Sequence, residues 1–74
     1  MRRYTVNLTH EDDAYLVSVP ALPNVHTYGH TTAEALANAQ EAIELWLSVL
    51  RDEGTPFPED KPITVTSAIV EVAA

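Results

Sequence analysis

The 74-residue chain has no cysteine and only two glycines. Without cysteine it can form neither disulfides nor thiolate metal sites, and this is compatible with a reducing compartment. With so few glycines the chain also has no glycine-rich phosphate-binding loop. No serine has the sequence context of a nucleophile elbow. Several common classes of catalytic site are therefore excluded by composition alone.

Positive charge is also scarce, with four Lys and Arg against eleven Asp and Glu and a net charge of −7. The four cations are scattered along the chain as Arg2, Arg3, Arg51 and Lys61. Binding to phosphate backbones or anionic lipid relies on clustered Lys and Arg. The sequence therefore predicts no direct binding to nucleic acid or to membranes, and it favours a basic protein as partner.

Long hydrophobic runs are missing as well. The N-terminus has no apolar run of the length that a signal peptide needs, and Glu41 and Glu44 interrupt the apolar residues of the predicted helix. We therefore expect a cytoplasmic protein. Its 46% hydrophobic and 20% charged residues are typical of one folded domain, but a chain this short buries only about 60% of its unfolded surface. We expect it to gain stability from a partner.

The most informative stretch runs from the end of one apolar strand into the start of a helix. Pro20 and Pro23 each remove a backbone donor, so the chain must change direction between them. Gly29 offers a position for a positive φ just before the helix. Thr31 and Glu34 then have the spacing of a capping box, which predicts Thr31 as the N-cap.

Period-two alternation of apolar and polar residues predicts the strands that come before this helix. The first spans 3–9 and the second 14–19, and the polar turn 11–13 between them predicts an antiparallel hairpin. A short third strand is expected at 25–28.

The helix is predicted from about Thr32 to Glu53, with Gly54 just beyond its end. Its core-facing stripe is formed by apolar residues at three- and four-residue steps. These are Leu36, Ala39, Ile43, Trp46, Leu47 and Leu50.

A polar, proline-rich connection at 55–62 leads to a last strand at 63–72. Ile63 and Val65 are in one phase of that strand and Ala68, Val70 and Val72 in the other. The change near Ser67 predicts either a bulge or a strand whose two ends are buried against different parts of the structure.

The fold class is α+β in the order β-β-β-α-β. We expect an antiparallel three-stranded meander with the fourth strand beside the first and parallel to it. The helix then covers one face of the sheet, and the other stays bare unless a partner covers it. The bare face predicts self-association into at least a dimer.

Histidines and carboxylates are the residues that could hold a metal. His26 and His30 are four apart, a useful spacing on a helix but not in a strand and turn. The carboxylates of Glu11, Asp12 and Asp13 diverge within a hairpin turn. The sequence thus predicts no metal site, no cofactor and no catalytic residue.

The candidate functional residues are instead those suited to contacts with other proteins. Those expected at a partner-binding surface are Asp12, Asp13, Tyr15, His26, Tyr28 and His30. Those expected at an oligomer interface are Ile69, Val70 and Val72, on the exposed apolar end of the last strand.

The run YLVSVPALPNVHTYGHTTAEALANAQEAIELWL resembles the N-terminal domain of HicB-type antitoxins and their single-domain relatives. In that family an apolar strand leads to a Pro-x-Leu-Pro-Gly turn and then to a Gly-Asp-Thr-x-x-Glu-Ala helix start. The matching residues are Tyr15, Val17, Pro20, Leu22, Pro23, Gly29, Thr31, Glu34, Ala35 and Leu36.

The resemblance implies a truncated ribonuclease H-like fold without the nuclease's acidic centre. It also implies an antitoxin that is not an enzyme and that blocks a small basic HicA-type mRNA endonuclease by occluding its active site. Four residues depart from the family pattern, namely Ala21, Asn24, Val25 and His30. Full antitoxins of the family also carry a C-terminal DNA-binding domain, whereas we expect residues 1–74 to form a single HicB-like domain without one.

Two other functions stay open at this point. One is a stand-alone homo-oligomer that binds a ligand or regulates another protein and has no toxin partner. The other is a degenerate ribonuclease H-like enzyme, whose metal-dependent cleavage of RNA would depend on Asp12 and Asp13.

Overall fold

A computed structural model describes residues 2–61 and 67–72 of the chain and has an α+β fold. Its elements are β1 (Arg2–Glu11), β2 (Ala14–Ser18), β3 (His26–Gly29), α1 (Thr32–Asp52) and β4 (Ser67–Val72). The strands form a sheet in the order β3-β2-β1-β4, and every neighbouring pair is antiparallel. The predicted fold class and order of elements are confirmed.

The predicted β1–β2 hairpin is present, but β1 extends through Glu11 and the loop is shorter than the predicted turn 11–13. Leu8 pairs with Val17 and Glu11 with Ala14, which leaves Asp12 and Asp13 as the loop. Two-residue hairpin loops need a positive φ at one or both positions, and Asp12 supplies it with φ of 55°. Aspartate tolerates this left-handed conformation better than most residues.

The direction of β4 corrects the prediction that the fourth strand runs parallel to the first. Ser67 of β4 pairs with Asn7 of β1, and Val72 pairs with Arg2, so the two strands are antiparallel. A strand that started at the end of the sheet where α1 finishes would run parallel to β1, as predicted. The connection between α1 and β4 instead follows β1 for part of its length, and β4 returns in the opposite direction.

Three hydrogen bonds hold that connection against β1. The hydroxyl of Tyr4 donates to the backbone carbonyl of Pro58 at 2.6 Å. The carboxylate of Asp60 accepts from the backbone N–H of Thr5 at 2.7 Å and from its hydroxyl at 2.8 Å. Thr5 lies beyond the end of the β1–β2 ladder, which reaches only to Asn7. The Asp60 carboxylate therefore satisfies a backbone donor that would otherwise be left unpaired.

The ends of α1 follow from local sequence. The Thr31 side chain accepts from the backbone N–H of Glu34 at 3.0 Å, so the predicted N-cap is confirmed. The return bond of the capping box differs from the prediction, because the Glu34 carboxylate accepts from the backbone N–H of His30, at 3.4 Å, and not from that of Thr31. Glu53 caps the other end of the helix, and Gly54 follows with φ of 70°.

Gly29 does not have the conformation that its position predicts. Among the described residues only Asp12 and Gly54 have a positive φ. A Cβ atom on Gly29 would lie 2.4 Å from the backbone nitrogen of Ala35 and 2.8 Å from its Cα. Glycine is needed here because β3 and the first turn of α1 approach each other too closely for a side chain.

The core lies between α1 and one face of the sheet. Leu36 and Trp46 of the predicted helix stripe are only partly buried. The other residues of the stripe are buried, and so is Ala35. Buried side chains of the core are Tyr4, Val6, Val17, Val19, Ala21, Leu22, Val25, Ala35, Ala39, Ile43, Leu47, Leu50, Val70 and Val72.

The opposite face of the sheet has exposed apolar side chains, as predicted for a face that no helix covers. Leu16 is 41% exposed, Tyr28 58% and Ile69 59%. Ile63 and Val65, on which the predicted change of phase in the last strand depends, lie outside the described residues.

Candidate partner-binding site

The hairpin end of the sheet brings together most of the predicted partner-binding residues. Asp12 and Asp13 form the exposed loop between β1 and β2. Tyr15, just after this loop, pairs with Gly29 at the end of β3, so His30 emerges at the same end of the sheet.

Aromatic rings form two pairs at this end. The His10 and Tyr15 rings stack across the hairpin, with centroids 4.4 Å apart and planes 13° from parallel. The Tyr28 and His30 rings meet edge to face with centroids 6.3 Å apart. Tyr15 packs against the core and Tyr28 is exposed, so the second pair is the more available to a partner.

Leu16 adds an exposed apolar side chain to the same surface. It pairs with Tyr28 on one side and with Thr9 on the other, so the three residues form a row across the uncovered face of the sheet. Leu16 was not among the predicted partner-binding residues. The sequence signal that could have identified it is a large apolar residue on the face of β2 that it shares with the polar Ser18.

Charge is distributed unevenly between the two ends of the molecule. The hairpin end has Glu11 and the two loop aspartates, and Glu34 lies in the first turn of α1. None of the four Lys and Arg side chains belongs to this end. They are Arg2 and Arg3 at the start of β1, Arg51 in the last turn of α1, and Lys61 in the connection that follows the helix.

Two of these cations already have partners within the chain. The Arg3 guanidinium forms an ion pair with Glu71 at 3.0 Å. That of Arg2 lies over the Phe57 ring, 4.9 Å from its centroid. The hairpin end therefore has carboxylates without a lysine or arginine beside them, which suits it to a basic partner.

Three predicted site residues lie elsewhere or are buried. His26 is at the far end of β3, where it lines a groove beside α1. The side chains of Val70 and Val72 belong to the core, at 5% and 0% exposure. Of the three residues predicted at an oligomer interface, only Ile69 presents an exposed side chain.

No three His, Asp or Glu side chains within residues 2–61 and 67–72 are grouped so that they could hold a metal ion. The helix of the described structure is not long and apolar enough to cross a membrane. What the hairpin end offers is a combination of carboxylates, exposed aromatic rings and one leucine, a composition suited to protein contacts.

Comparison with known proteins gives a family match over nearly the whole chain. The family described as HicB_like antitoxin of bacterial toxin-antitoxin system matches residues 4–73. A UPF0150 protein of Thermoplasma acidophilum is 40% identical over 65 residues, which are 86% of this chain and 94% of that protein. Antitoxin HicB 2 of Photorhabdus laumondii is 35% identical over 97% of this chain, but the match spans only 50% of that antitoxin.

Solved structures match the fold over the same length. The N-terminal domain of the Burkholderia pseudomallei antitoxin HicB superposes with a TM-score of 0.80 at 27% identity, and the match covers 97% of this chain and 99% of that domain. A chain of the HicA3 and HicB3 toxin-antitoxin complex superposes with a TM-score of 0.74 at 20% identity, with coverage of 97% and 99%. At that identity the second match shows a shared fold.

Proposed function

Because this chain belongs to the family of HicB-like antitoxins of bacterial toxin–antitoxin systems, we propose that it binds a small basic HicA-type toxin through the hairpin end of its sheet. The bound chain masks the toxin by protein–protein contact and catalyses no reaction itself. The toxin proposed here cleaves mRNA, so the complex forms in the cytoplasm.

The observation that carries this proposal is the acidic hairpin end, which lacks any lysine or arginine. A basic surface that approaches it meets Glu11, Asp12 and Asp13 without repulsion from a cation. Complementary charge of this kind speeds encounter and fixes orientation, whereas aromatic and aliphatic side chains at the centre of a contact supply most of the affinity. Tyr28 and Leu16 are placed to do so.

The structural neighbours support the same function. The fold of this chain recurs in a chain of the HicA3 and HicB3 toxin-antitoxin complex. It also recurs in the N-terminal domain of an antitoxin, and the match covers 97% of this chain and 99% of that domain.

The test is co-expression and co-purification with the small basic protein encoded next to the gene of this chain. We expect a stoichiometric complex and relief of the growth arrest that the basic protein causes alone. If the neighbouring protein is toxic and this chain neither binds it nor relieves the arrest, the proposal is wrong.

The loop aspartates allow a sharper test of where the toxin binds. The double substitution Asp12→Asn and Asp13→Asn removes two charges but keeps side chains that tolerate the turn. We expect the association rate constant to fall roughly tenfold at low ionic strength, since steering by charge accounts for that order of rate enhancement. Stopped-flow or biosensor kinetics measure this rate.

A matched control removes the same number of charges elsewhere. The double substitution Glu53→Gln and Glu59→Gln changes two exposed carboxylates that lie outside the hairpin end. We expect a much smaller change in the rate. Equal effects of the two pairs would show that net charge, and not the hairpin end, governs binding.

A further inference from the structure

We propose that Asn38 of α1 is a positioning residue of the toxin-binding surface, an inference that rests on the proposed function. Asn38 holds the end of β3 from the helix side of the sheet. It thereby fixes the direction in which Tyr28 and His30 present their rings to the toxin, without touching the toxin itself.

The end of β3 has little support within the sheet. The strand has four residues and lies at an edge, so among the described strands only β2 lies beside it. Its last residue, Gly29, pairs with Tyr15, and the chain leaves the sheet at His30. The ends of short edge strands fray readily, because they are hydrogen-bonded on one side only. Tyr28 and His30 therefore need a further support if they are to keep one geometry.

Two side chains of α1 bond the backbone on either side of Gly29. The Asn38 side-chain amide donates to the carbonyl of Tyr28 at 2.8 Å. The Glu34 carboxylate accepts from the backbone N–H of His30 at 3.4 Å. The bond from Asn38 is the shorter of the two and lies within the usual range of N–H···O distances. Asn38 therefore supplies the firmer support.

Gly29 itself lies against the helix. A Cβ atom on it would be 2.4 Å from the backbone nitrogen of Ala35. The helix is anchored in the core at this level, since Ala35 and Ala39 are both fully buried. Residues 28, 29 and 30 are thus each in contact with a part of α1 that is itself fixed.

Asn38 acts from the face opposite to the exposed rings. Gly29 faces α1, and side chains alternate along a strand, so the side chain of Tyr28 points to the uncovered face of the sheet. There it is 58% exposed and meets the His30 ring edge to face at 6.3 Å. Asn38 reaches Tyr28 through its backbone carbonyl. A toxin that covers the two rings therefore approaches from the side away from Asn38.

Fixing the strand end should lengthen the life of the complex. Aromatic side chains contribute most to affinity when they already have their bound geometry, because a mobile segment loses its freedom on binding. Steering by charge governs the association rate instead. Asn38 has no charge, so its support should affect mainly the dissociation rate.

The experiment compares Asn38→Ala with Gln40→Ala in binding to the small basic protein encoded next to the gene of this chain. Both substitutions remove an amide from α1, and alanine has the highest helix propensity, so neither should weaken the helix. We expect Asn38→Ala to dissociate roughly three- to tenfold faster, the range that the loss of one hydrogen bond gives. Its association rate should not change, and Gln40→Ala should have the rates of the wild type. Biosensor kinetics measure both rates.

A double-mutant cycle separates positioning from direct contact. Tyr28→Ala removes the ring that Asn38 is proposed to position. In that background Asn38→Ala should add little to the dissociation rate. Additive effects of the two substitutions would show that Asn38 does not act through Tyr28, and would overturn the proposal.

The motion of the strand end can be measured without a toxin. In the wild type the N–H order parameters of residues 28–30 should be close to about 0.85, as in rigid backbone, and Asn38→Ala should lower them toward about 0.6. Gln40→Ala should leave them unchanged. Circular dichroism should show the same helix content in all three chains.

Two further results would overturn the proposal. One is a set of order parameters at residues 28–30 that Asn38→Ala does not lower. The other is a toxin dissociation rate that Asn38→Ala does not raise, or that Gln40→Ala raises equally. A wild type that binds no toxin would refute the proposed function instead, and the order parameters would still decide whether Asn38 holds the end of β3.

Discussion

Gly29 and Gly54 are the two glycines of the chain, and they are needed for different reasons. Gly54 adopts a φ of 70° with open space around it, so its role is to let the backbone turn after the helix. Gly29 adopts an ordinary φ but lies against the backbone of Ala35, so its role is to have no side chain.

Alanine substitutions should separate these two roles. Gly29→Ala should lower the free energy of unfolding by about 1–3 kcal/mol, because β3 and α1 must move apart to admit a methyl group. Gly54→Ala should cost about 1–2 kcal/mol through its left-handed φ. Urea unfolding followed by circular dichroism measures both values.

Asparagine at the same two positions provides the control. Asn accepts the left-handed conformation, so Gly54→Asn should recover part of the loss seen with alanine. Gly29→Asn should be at least as destabilising as Gly29→Ala, because its side chain is larger. If asparagine restored stability at residue 29, the backbone conformation of Gly29, and not its close approach to Ala35, would explain why glycine is needed there.

The sequence predicts residue roles well where the cause is local. Thr31 could be identified as the N-cap because its partner, the N–H of Glu34, is three residues away. The role of Gly29 could not be found in this way, because the short distance to Ala35 depends on how the strand and the helix pack.

At the scale of elements, the connection between α1 and β4 accounts for the main error of prediction. Alternation predicts where a strand lies but not its direction, which depends on the path of the chain that precedes it. The hydrogen bonds of Tyr4 to Pro58 and of Thr5 to Asp60 hold this path along β1. They join residues more than fifty positions apart, so no local pattern in the sequence reveals them.

Tyr4 also gives this connection a dependence on pH. Burial raises the pKa of the Tyr4 hydroxyl above its ordinary value of 10.0, and the positive charge of Arg2 offsets part of that increase. Tyr4 of the unfolded chain therefore loses its proton at a lower pH than Tyr4 of the folded chain. Its contribution to stability is complete below pH 10 and is lost as the pH rises through the higher pKa of the folded state.

The substitution Tyr4→Phe tests this dependence. At neutral pH it should lower the free energy of unfolding by about 1 kcal/mol, since the bond to the Pro58 carbonyl is lost. Between pH 9 and 11 the variant should lose less further stability than the wild type. Tyr28→Phe, which changes an exposed tyrosine, should keep the alkaline slope of the wild type. An identical slope for Tyr4→Phe would contradict the assignment.

At the scale of the whole molecule, composition predicts the kind of partner and the fold decides where the proposed binding surface lies. The count of charged residues shows that the chain is acidic. The acidic loop lies far from Arg2 and Arg3 because the two arginines begin the ten-residue strand β1 and the loop follows its other end. The groove that His26 lines needs packing information as well, because it exists only where α1 meets β3.

Salt should weaken the binding of a basic toxin to the hairpin end. That contact joins unlike charges, so screening should act mainly by slowing association. Raising NaCl from 50 to 500 mM shortens the Debye length from about 14 Å to about 4 Å. Over that range we expect toxin association to slow roughly tenfold, as measured by biosensor kinetics. An association rate that did not change with salt would show that charge does not steer the toxin, and the assignment of the acidic hairpin end as the toxin-binding surface would be wrong.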